Sequence, residues 1–598
     1  MKNIKIVGLL FSLAIGVPGV SMAGDSLCNG YQSDFLGPKV CVFEQASPVK
    51  DVQNIVNAIH THEKDNQFGS DGYALLFKPG NYSTVSVPVG YYTQVSGLGL
   101  TPNDTTVKTV TVDASDLHGG TSLDNFWRSA ENLKTTSDVV WAVSQASPLR
   151  NMHISGVLVL ALGSEHYASG GFLANSAVDK GIASSGQQQW ITRNTSIGRW
   201  YDSGVWNMVF VGDHNAPAGA QPNTVVASTP RIQEKPYLAF DLASQKYEVV
   251  VPVSRNNSVG EEWNRNTVIP QSQMIIAKPG MTADQINAAL NNPQIQSPKA
   301  LIFTPGQYDL DKTIEIKQAN TVVLGLGVPV LTAKTPHISI IKTSANGVKM
   351  GGLLFEAGSN ASTSSADASL LQIGSGSGAG VADSPTTLSD IYCRVGGRVA
   401  GQTDSCVTIN DNFVIGDNVW LWRADHGAGA GSWTGDQANH GLIVKGANVI
   451  MYGLAVEHFK QEQVLWSGEN GSTYFYQSEL PYDVPGRNGT SGSFAPISAS
   501  FVIQENVNKF TGYGLGIYDF FRGASQGAYA MSAIKAPNHP GISFTHMVSI
   551  KLGASYGPIH IAHMIETDDG ALFGPSSADD YPKSRFEFWS GAAKTAGK

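Results

Sequence analysis

The sequence repeats one block of strand, turn and strand at two distant places in the chain. The first copy reads ALLFKPGNYSTVSVPVGYYTQVSGLG and the second reads ALIFTPGQYDLDKTIEIKQANTVVLGLG. Gly80 of the first copy corresponds to Gly306 of the second, and a short helical pattern precedes each copy. A whole module is therefore duplicated, which restricts the fold to architectures built from two similar units.

Each copy is followed by short strand-forming runs that are broken by Gly, Asn, Asp and Ser. Examples are HISGVLVLAL, GVKMGGLLFEA, NVIMYGLAVEHF and STYFYQSEL. The two clearest helical patterns are KDVQNIVNAIHTH and MTADQINAAL, the second of which Thr282 can cap. Closely spaced strands with little helix between them indicate stacked coils about 4.8 Å apart. We therefore predict an all-β fold of two tandem right-handed parallel β-helices, of the pectate-lyase-like type, packed side by side.

The start of the chain predicts export from the cytoplasm. Two lysines, an apolar run and small residues stand before Gly24, which is the pattern of a secretory signal peptide. No later run approaches the roughly 20 apolar residues that span a bilayer. We expect a soluble protein that is secreted or periplasmic. The predicted divisions are a signal peptide over 1–23, an N-terminal β-helix over 24–214, a Pro-rich connector over 215–273 and a C-terminal β-helix over 274–598.

The charge balance excludes some partners. The net charge is −9, and only 15% of the residues are charged. Nucleic acid and anionic membranes do not attract such a chain, whereas a neutral sugar polymer suits it. We expect a monomer with a polysaccharide or oligosaccharide substrate, and no nucleic-acid or membrane partner.

The four cysteines form two local pairs in the sequence, Cys28 with Cys41 and Cys393 with Cys406. Neither pair has the C-x-x-C spacing of a zinc or redox motif, and an oxidising compartment favours disulfides. We predict two short-loop disulfides. The histidines lack H-E-x-x-H or any paired metal spacing, so no metal and no cofactor is expected.

Two glutamates are the first candidates for chemistry. Alternation along NVIMYGLAVEHF predicts that the bulkier set (Ile450, Tyr452, Leu454, Val456) faces into the coil and that Glu457 faces out with Met451, Gly453 and Ala455. The same count in STYFYQSEL places Phe475 and Gln477 with Glu479, opposite Tyr474, Tyr476, Ser478 and Leu480. Glu457 and Glu479 are separated by about one coil, so they are expected to be near neighbours.

A close pair of carboxylates suits glycosidic cleavage. Two such groups resist being ionised together, so one keeps its proton and can act as a general acid. The chain has 48 acidic residues, however, so a pair at this spacing also arises by chance. Nearby aromatic side chains suit the apolar faces of sugars and equally suit an ordinary core. Asp425 and His426 could bind hydroxyls, tune the pKa of Glu479 or simply close a turn.

At this point the sequence resembles family 55 of the glycoside hydrolases, secreted β-1,3-glucanases built from two tandem parallel β-helices. Members carry an S-E-H strand followed one coil later by T-E-T-P-Y. Here Val456-Glu457-His458 is followed by Ser478-Glu479-Leu480-Pro481-Tyr482. In the first module, WAVSQASPLRNM, ASGGFLANSAV and GQQQWITRN resemble further segments of the family.

The resemblance implies an inverting, exo-acting enzyme whose site lies between the two β-helices. It implies that Glu479 is the general acid, that Glu457 is a neighbouring acidic residue, and that Gln188 or Gln189 positions the attacking water. The residues expected to contact the sugar are Trp422, Asp425, His426, His458, Trp466 and Tyr482. Leu480 and Val456 replace a threonine and a serine of the family, which leaves the linkage specificity less defined than the fold.

We therefore predict a secreted glycoside hydrolase that cleaves a β-glucan, as an exo-β-1,3-glucanase with Glu479 as acid. One alternative is a non-catalytic carbohydrate-binding or adhesive β-helix, which would bind glycan without releasing reducing sugar. A second is a polysaccharide lyase, which would need acidic sugars, calcium and a basic residue. The chain shows no obvious basic cluster near Glu479.

Overall fold

A computed structural model of the protein describes most of the chain. The described residues are 26–112, 121–163, 166–202, 204–335, 338–358, 369–376, 378–484, 497–521, 528–553 and 561–592. The predicted signal peptide lies outside the described residues. Within these ranges, the helices are too short or too polar to cross a membrane.

The first half of the chain forms one 14-stranded sheet and one four-stranded sheet, in which nearly all neighbouring strands run parallel. The larger sheet contains Gln32–Ser33, Gly37–Phe43, Tyr73–Phe77, Gly80–Pro88, Thr93–Gly97, Thr105–Thr111, Ser129–Thr135, Pro148–Ile154, Phe172–Ala174, Ala177–Val178, Gln189–Arg193, Ser196–Ile197, Asn207–Val211 and Asn223–Val226. The smaller sheet contains Val139–Val140, Val157–Val159, Gly181–Ala183 and Trp200–Tyr201.

Two small antiparallel sheets follow along the chain. One pairs Thr229–Ile232 with Arg255–Ser258. The other contains Tyr237–Asp241, Lys246–Pro252 and Asn266–Pro270. This stretch is therefore structured, and it lies between the parallel sheets of the two halves.

The second half forms a 13-stranded and a ten-stranded sheet, again with parallel pairing from coil to coil. The larger sheet contains Met274–Ala277, Ala300–Phe303, Gln307–Leu310, Val322–Gly325, Val330–Ala333, Lys349–Glu356, Thr386–Val395, Val414–Arg423, Ile450–Glu457, Gly471–Glu479, Lys509–Asp519, Gly541–Lys551 and Arg585–Ser590. The other contains Ile314–Ile316, Ile341–Thr343, Ser369–Ile373, Gln402–Ile409, Gln437–Val444, Val464–Trp466, Phe501–Ile503, Ala530–Ala536, Ile561–Thr567 and Leu572–Phe573.

A short helix stands near the start of each half. Helix α1 covers Val49–Glu63 and packs on the strand Gly80–Pro88, and helix α2 covers Ala283–Leu290. Thr282 caps α2 as predicted, because its hydroxyl accepts a hydrogen bond from the backbone N–H of Gln285 at 3.3 Å. The apolar faces of both helices are buried. Each helix thus covers the end of one hydrophobic core.

The predicted all-β fold of tandem parallel β-helices is confirmed, and each half has its own hydrophobic core. Both predicted disulfides are present. Cys28 is bonded to Cys41 in the first half, and Cys393 to Cys406 in the second.

The alternation predicted for the two glutamate-bearing strands is wrong over their first halves. Gly453 and Phe475 each have a φ of +67°, in the left-handed region, and they occupy the same register position of neighbouring strands. A left-handed residue interrupts the two-residue period. Tyr452 and Tyr474 therefore lie outside the coil, where their rings stack 5.1 Å apart, while Met451 packs in the core.

The same left-handed position recurs in seven strands of the second half. Its members, with φ between 54° and 72°, are Gly352, Asp390, Asn418, Gly453, Phe475, Gly514 and His546. This column divides the outer surface of the sheet in two. The residues before it, such as Tyr452, pack against Ile191 and Val209 of the first half. The residues after it include Glu457 and Glu479.

Buried charges join the two halves. Arg150 contacts Asp390 at 2.8 Å and Asp417 at 2.6 Å. Arg193 contacts Asp417 at 2.9 Å and Glu234 at 2.6 Å. Side chains of all five are at most 5% exposed, so each charge depends on its partners. This cluster fixes how one β-helix lies against the other.

Candidate active site

A cavity of about 410 Å³ is lined by residues of both halves. The first half contributes Leu123, Asp124, Phe126, Gln145, Ser169 and Gln188. The second half contributes Trp422, Asp425, His426, Glu457, His458, Glu479, Tyr482, Phe520, Leu552 and Gly553. The cavity therefore depends on the packing of the two β-helices.

Glu457 and Glu479 end neighbouring parallel strands, Ile450–Glu457 and Gly471–Glu479, and they are directly paired in register. Both strands have passed the left-handed bend, so both side chains lie outside the coil and line the cavity. The structure thus brings together the two carboxyl groups that the sequence singled out.

Glu457 is held by two N–H donors. Its Oε1 accepts a hydrogen bond from Gln145 Nε2 at 2.9 Å, and its Oε2 accepts one from Trp420 Nε1 at 3.0 Å. Gln145 belongs to the first half, and Trp420 to the preceding coil of the second. Glu457 is only 4% exposed, so these donors replace the water that would otherwise solvate its anion.

Glu479 has different partners. Its Oε2 accepts a short hydrogen bond from the hydroxyl of Tyr482, and its Oε1 accepts a long one, 3.4 Å, from Gln477 Nε2. Tyr482 follows the strand of Glu479, whereas Trp420 precedes that of Glu457. The two carboxyl groups are therefore held by different donors, a residue of the preceding coil for Glu457 and a residue of the following turn for Glu479.

The surroundings raise the pKa of both carboxyl groups. Burial raises the pKa of Glu457 to about 7, although the hydrogen bonds from Trp420 and Gln145 oppose this shift. Burial raises the pKa of Glu479 well above its usual value, and the charges of Glu457 and Asp425 raise it further. The donors favour the anion of Glu457. Glu457 is therefore the first of the pair to ionise, and its charge keeps the proton on Glu479.

Trp422, Asp425 and His426 form one wall of the cavity, and a segment of the first half supports them. Gln67 Nε2 lies 2.7 Å from His426 Nε2, and His426 Nδ1 lies 2.8 Å from Asp425 Oδ1. With Gln67 as donor, His426 donates its Nδ1 proton to Asp425. The ring of Phe68 lies parallel to that of Trp422, with centroids 6.3 Å apart.

The turn that carries Tyr482 is anchored by a buried arginine. Arg423 donates to both carboxylate oxygens of Asp483, at 2.9 and 2.6 Å. His458, whose ring meets that of Tyr482 at 4.4 Å between centroids, donates from Nδ1 to the Leu480 carbonyl. Burial lowers the pKa of His458, so it stays neutral. These contacts hold the phenol of Tyr482 against Glu479.

The two candidate glutamines of the first half have different positions. Gln188 lines the cavity, whereas Gln189 is buried in the strand Gln189–Arg193 and does not line it. Gln145 was not singled out from the sequence, although it contacts Glu457 directly. The signal that could have found it is the W-x-V-S-Q motif, in which it is the glutamine.

Trp466 was wrongly expected to contact sugar. It is 0% exposed in the core of the second half, and its Nε1 donates to the carbonyl of Gly468 at 3.0 Å. Trp466 ends a strand of the ten-stranded sheet, whereas the cavity lies on the other large sheet. Proximity in sequence to Glu457 misled the interpretation, because the chain turns a corner between the two residues.

The lining of the cavity is acidic. It contains the acidic residues Asp124, Asp425, Glu457 and Glu479, and no lysine or arginine stands among its described members. An anionic sugar would be repelled by this lining. The arrangement suits a neutral ligand and proton transfer from a carboxylic acid.

Comparisons with known proteins identify relatives that match nearly the whole chain. The profile of the LAM55 pectate lyase-like domain matches residues 274–479. An exo-β-1,3-glucanase of Streptomyces sp. strain SirexAA-E / ActE is 39% identical over 561 residues, which cover 92% of this chain and 90% of the relative.

Solved structures from the same organism are also similar. The structure of sacteLam55A from Streptomyces sp. SirexAA-E is 39% identical, with a TM-score of 0.84, and covers 93% of this chain and 98% of its own. A glutamate-to-alanine variant of it in complex with glucose is 38% identical, with a TM-score of 0.84 and the same coverage. With this identity over nearly its whole length, the chain belongs to family 55 of the glycoside hydrolases.

Proposed function

We propose that the protein is a secreted exo-β-1,3-glucanase with an inverting mechanism, in which Glu479 is the general acid. The observation that carries this proposal is the register pair of Glu457 and Glu479 in a cavity lined by both halves. The relative named an exo-β-1,3-glucanase supports the linkage and the exo action. The glucose complex of the solved relative supports a carbohydrate substrate.

Glu479 supplies the proton that the leaving oxygen needs. Its raised pKa favours the protonated form, and its side chain lines the cavity. The hydroxyl of Tyr482 holds one carboxyl oxygen and leaves the other available to the glycosidic oxygen. Proton transfer in the transition state avoids release of an unstable alkoxide.

Glu457 and Gln188 act on the attacking water. Gln188 faces the cavity from the first half, and Gln145 fixes Glu457 towards the same side. A water held between Gln188 and the Glu457 anion attacks the anomeric carbon and gives its proton to Glu457. Paired strands alone would favour the short carboxyl separation of a retaining enzyme. The resemblance to family 55 favours the wider, inverting arrangement instead.

Trp422, His426, Asp425, His458 and Tyr482 bind the sugar. Trp422 contributes apolar surface to the lining, and Asp425 and His426 offer hydrogen bonds to hydroxyl groups. The absence of basic residues among the described members of the lining disfavours the acidic sugars that a lyase would require.

We also propose that the protein acts outside the cytoplasm, as a monomer. Two disulfides close short loops in the two halves, and disulfides persist in oxidising compartments. The predicted signal peptide supports the same location.

Product analysis on three glucans tests the function. Mature protein is incubated with β-1,3-, β-1,4- and β-1,6-linked glucans, and the released sugar is followed by NMR. We expect release from the ends of the β-1,3-glucan alone, with the α-anomer formed first. First formation of the β-anomer would contradict inversion, and absence of sugar release would favour a binding protein.

A further inference from the structure

Three side chains at the C-terminal end of helix α1 form a group with the geometry of metal ligands. They are His62, Glu63 and Asp71, whose ligand atoms all lie within 4.8 Å of one another. His62 Nε2 lies 3.0 Å from Asp71 Oδ2 and 3.8 Å from Glu63 Oε1. Ligands about 2.0–2.2 Å from one tetrahedral ion are separated by similar distances.

Glu63 is the part of the group that points to a bound cation. Its side chain is 0% exposed, and its Oε2 accepts a hydrogen bond from Asn66 Nδ2 at 2.5 Å. Its Oε1 is buried with no hydrogen-bond partner and is directed towards His62 Nε2. A buried carboxylate oxygen without a donor is costly, and a metal ion at this point would satisfy it.

The donor set selects the class of ion. One imidazole nitrogen and two carboxylate oxygens suit Zn²⁺ and similar ions, whereas Ca²⁺ and Mg²⁺ prefer oxygen ligands alone. The side chains of His62 and Asp71 are 46% and 38% exposed, so solvent reaches the group from one side. We propose that His62, Glu63 and Asp71 bind one divalent ion of the Zn²⁺ class, with water as the remaining ligand. This differs from the sequence-based expectation of no metal.

Lys39 competes with such an ion without blocking it. Its Nζ lies 2.5 Å from Asp71 Oδ1, whereas Oδ2 is the oxygen that faces His62. The ammonium group lowers the affinity for any cation placed beside Asp71. Removal of the Lys39 charge should therefore strengthen metal binding. If Lys39 and Asp71 formed only a structural ion pair, this substitution would not produce a metal site.

The position of the site gives the ion a role. Glu63 ends helix α1, and Asp71 lies two residues before the strand Tyr73–Phe77, so the ion would close the base of segment 64–70. Gln67 and Phe68 of that segment contact His426 and Trp422. An ion at the base would stabilise the segment that supports the cavity wall.

Titration calorimetry with Zn²⁺ alone, on metal-free mature protein without an affinity tag, tests the proposal. We expect one ion per chain, and a roughly 10-fold or greater loss of affinity in His62→Ala and in Asp71→Asn. Lys39→Met should bind more tightly than the wild type. His153→Ala is the matched control, because His153 lies 3.2 Å from Asp179 on the same half without a buried third carboxylate.

A cooperative thermal unfolding transition of each metal-free variant would establish that it folds. Zn²⁺ should raise the Tm of the wild type and of His153→Ala but not that of His62→Ala. The proposal is overturned if the wild type binds no Zn²⁺ or if His62→Ala binds it as tightly. It is equally overturned if Lys39→Met does not bind more tightly.

Discussion

Glu457 and Glu479 are the same residue type at the same register position of adjacent strands, and their partners make them different acids. Glu457 accepts hydrogen bonds from two N–H groups, which favour its anion. Glu479 accepts a hydrogen bond from the hydroxyl of Tyr482, and the negative charge of Glu457 raises its pKa. The two roles that we propose for them in glycosidic cleavage therefore follow from local contacts, not from residue identity.

The hydrogen bond from Gln145 to Glu457 gives a pH prediction. Gln145→Met removes this donor at nearly constant side-chain volume, so the pKa of Glu457, already raised to about 7 by burial, should rise further. The proposed mechanism requires the anion of Glu457. The acidic limb of the kcat/KM profile should therefore move to higher pH.

The matched control for this variant is Ser169→Ala, which alters the same cavity without removing a hydrogen bond to Glu457. We expect its acidic limb to stay at the wild-type position. If the acidic limb of the kcat/KM profile does not move in Gln145→Met, then the ionisation that controls kcat/KM at low pH is not that of Glu457.

At the scale of elements, the site is built from strand ends and from one segment that reaches across the interface. The strands after the left-handed column present Glu457 and Glu479. Segment 64–70 of the first half lies against the wall made by Trp422 and His426. The tyrosine Tyr92 fixes this segment by donating its hydroxyl proton to the Gln67 carbonyl at 2.6 Å.

Phe68→Ala tests the contribution of this segment to substrate binding. Loss of the aromatic contact with Trp422 should loosen the wall, and such contacts are worth about 0.5–1.5 kcal/mol. We expect KM on a β-1,3-glucan oligosaccharide to rise up to about 10-fold while kcat changes little, since the carboxyl groups keep their partners.

The control is Phe35→Ala, because Phe35 stacks on Tyr247 at 5.5 Å and 15° and neither residue lines the cavity. Its KM should equal that of the wild type. A fall in kcat without a change in KM for Phe68→Ala would place the segment in the chemistry instead.

The sequence predicts the strand ends of the second half well, since coil length and residue alternation are local properties. It fails before the bend, where Gly453 and Phe475 interrupt the two-residue period. The sequence also does not identify Gln67 and Gln145 as site residues. Both contact the second half, and such contacts depend on how the two halves pack together. Trp466 shows the converse error. It is close to Glu457 in sequence, but the coil turns between the two residues and Trp466 packs in the core.

In the whole molecule, the buried charge cluster joins the two halves that together line the cavity. Arg193 is 0% exposed and bridges Asp417 of the second half and Glu234. Burial alone would raise the pKa of Glu234, but Arg193 outweighs it and lowers that pKa to about 2. Each charge is therefore stabilised only while the two halves remain packed together.

Arg193→Met should destabilise the protein strongly. It removes the guanidinium that Asp417 and Glu234 share and leaves them only Arg150 and Arg255, respectively. Removal of one member of a buried ion pair costs about 3–5 kcal/mol. The measurement is the free energy of unfolding in guanidinium chloride. Arg199→Met is the control, since Arg199 is exposed and lies over the ring of Tyr201 at 5.1 Å. Equal free energies of unfolding for Arg193→Met and Arg199→Met would show that the buried cluster does not stabilise the protein.

Kinetics of Glu479→Gln and of the wild type on two substrates test whether Glu479 is the general acid. One is a β-1,3-glucan oligosaccharide, and the other is an aryl β-glucoside whose leaving group needs no protonation. We expect kcat to fall about 100- to 10,000-fold on the oligosaccharide and far less on the aryl glucoside, with the fold intact. Equal losses on both substrates, or near-wild-type turnover of the oligosaccharide, would contradict Glu479 as the general acid.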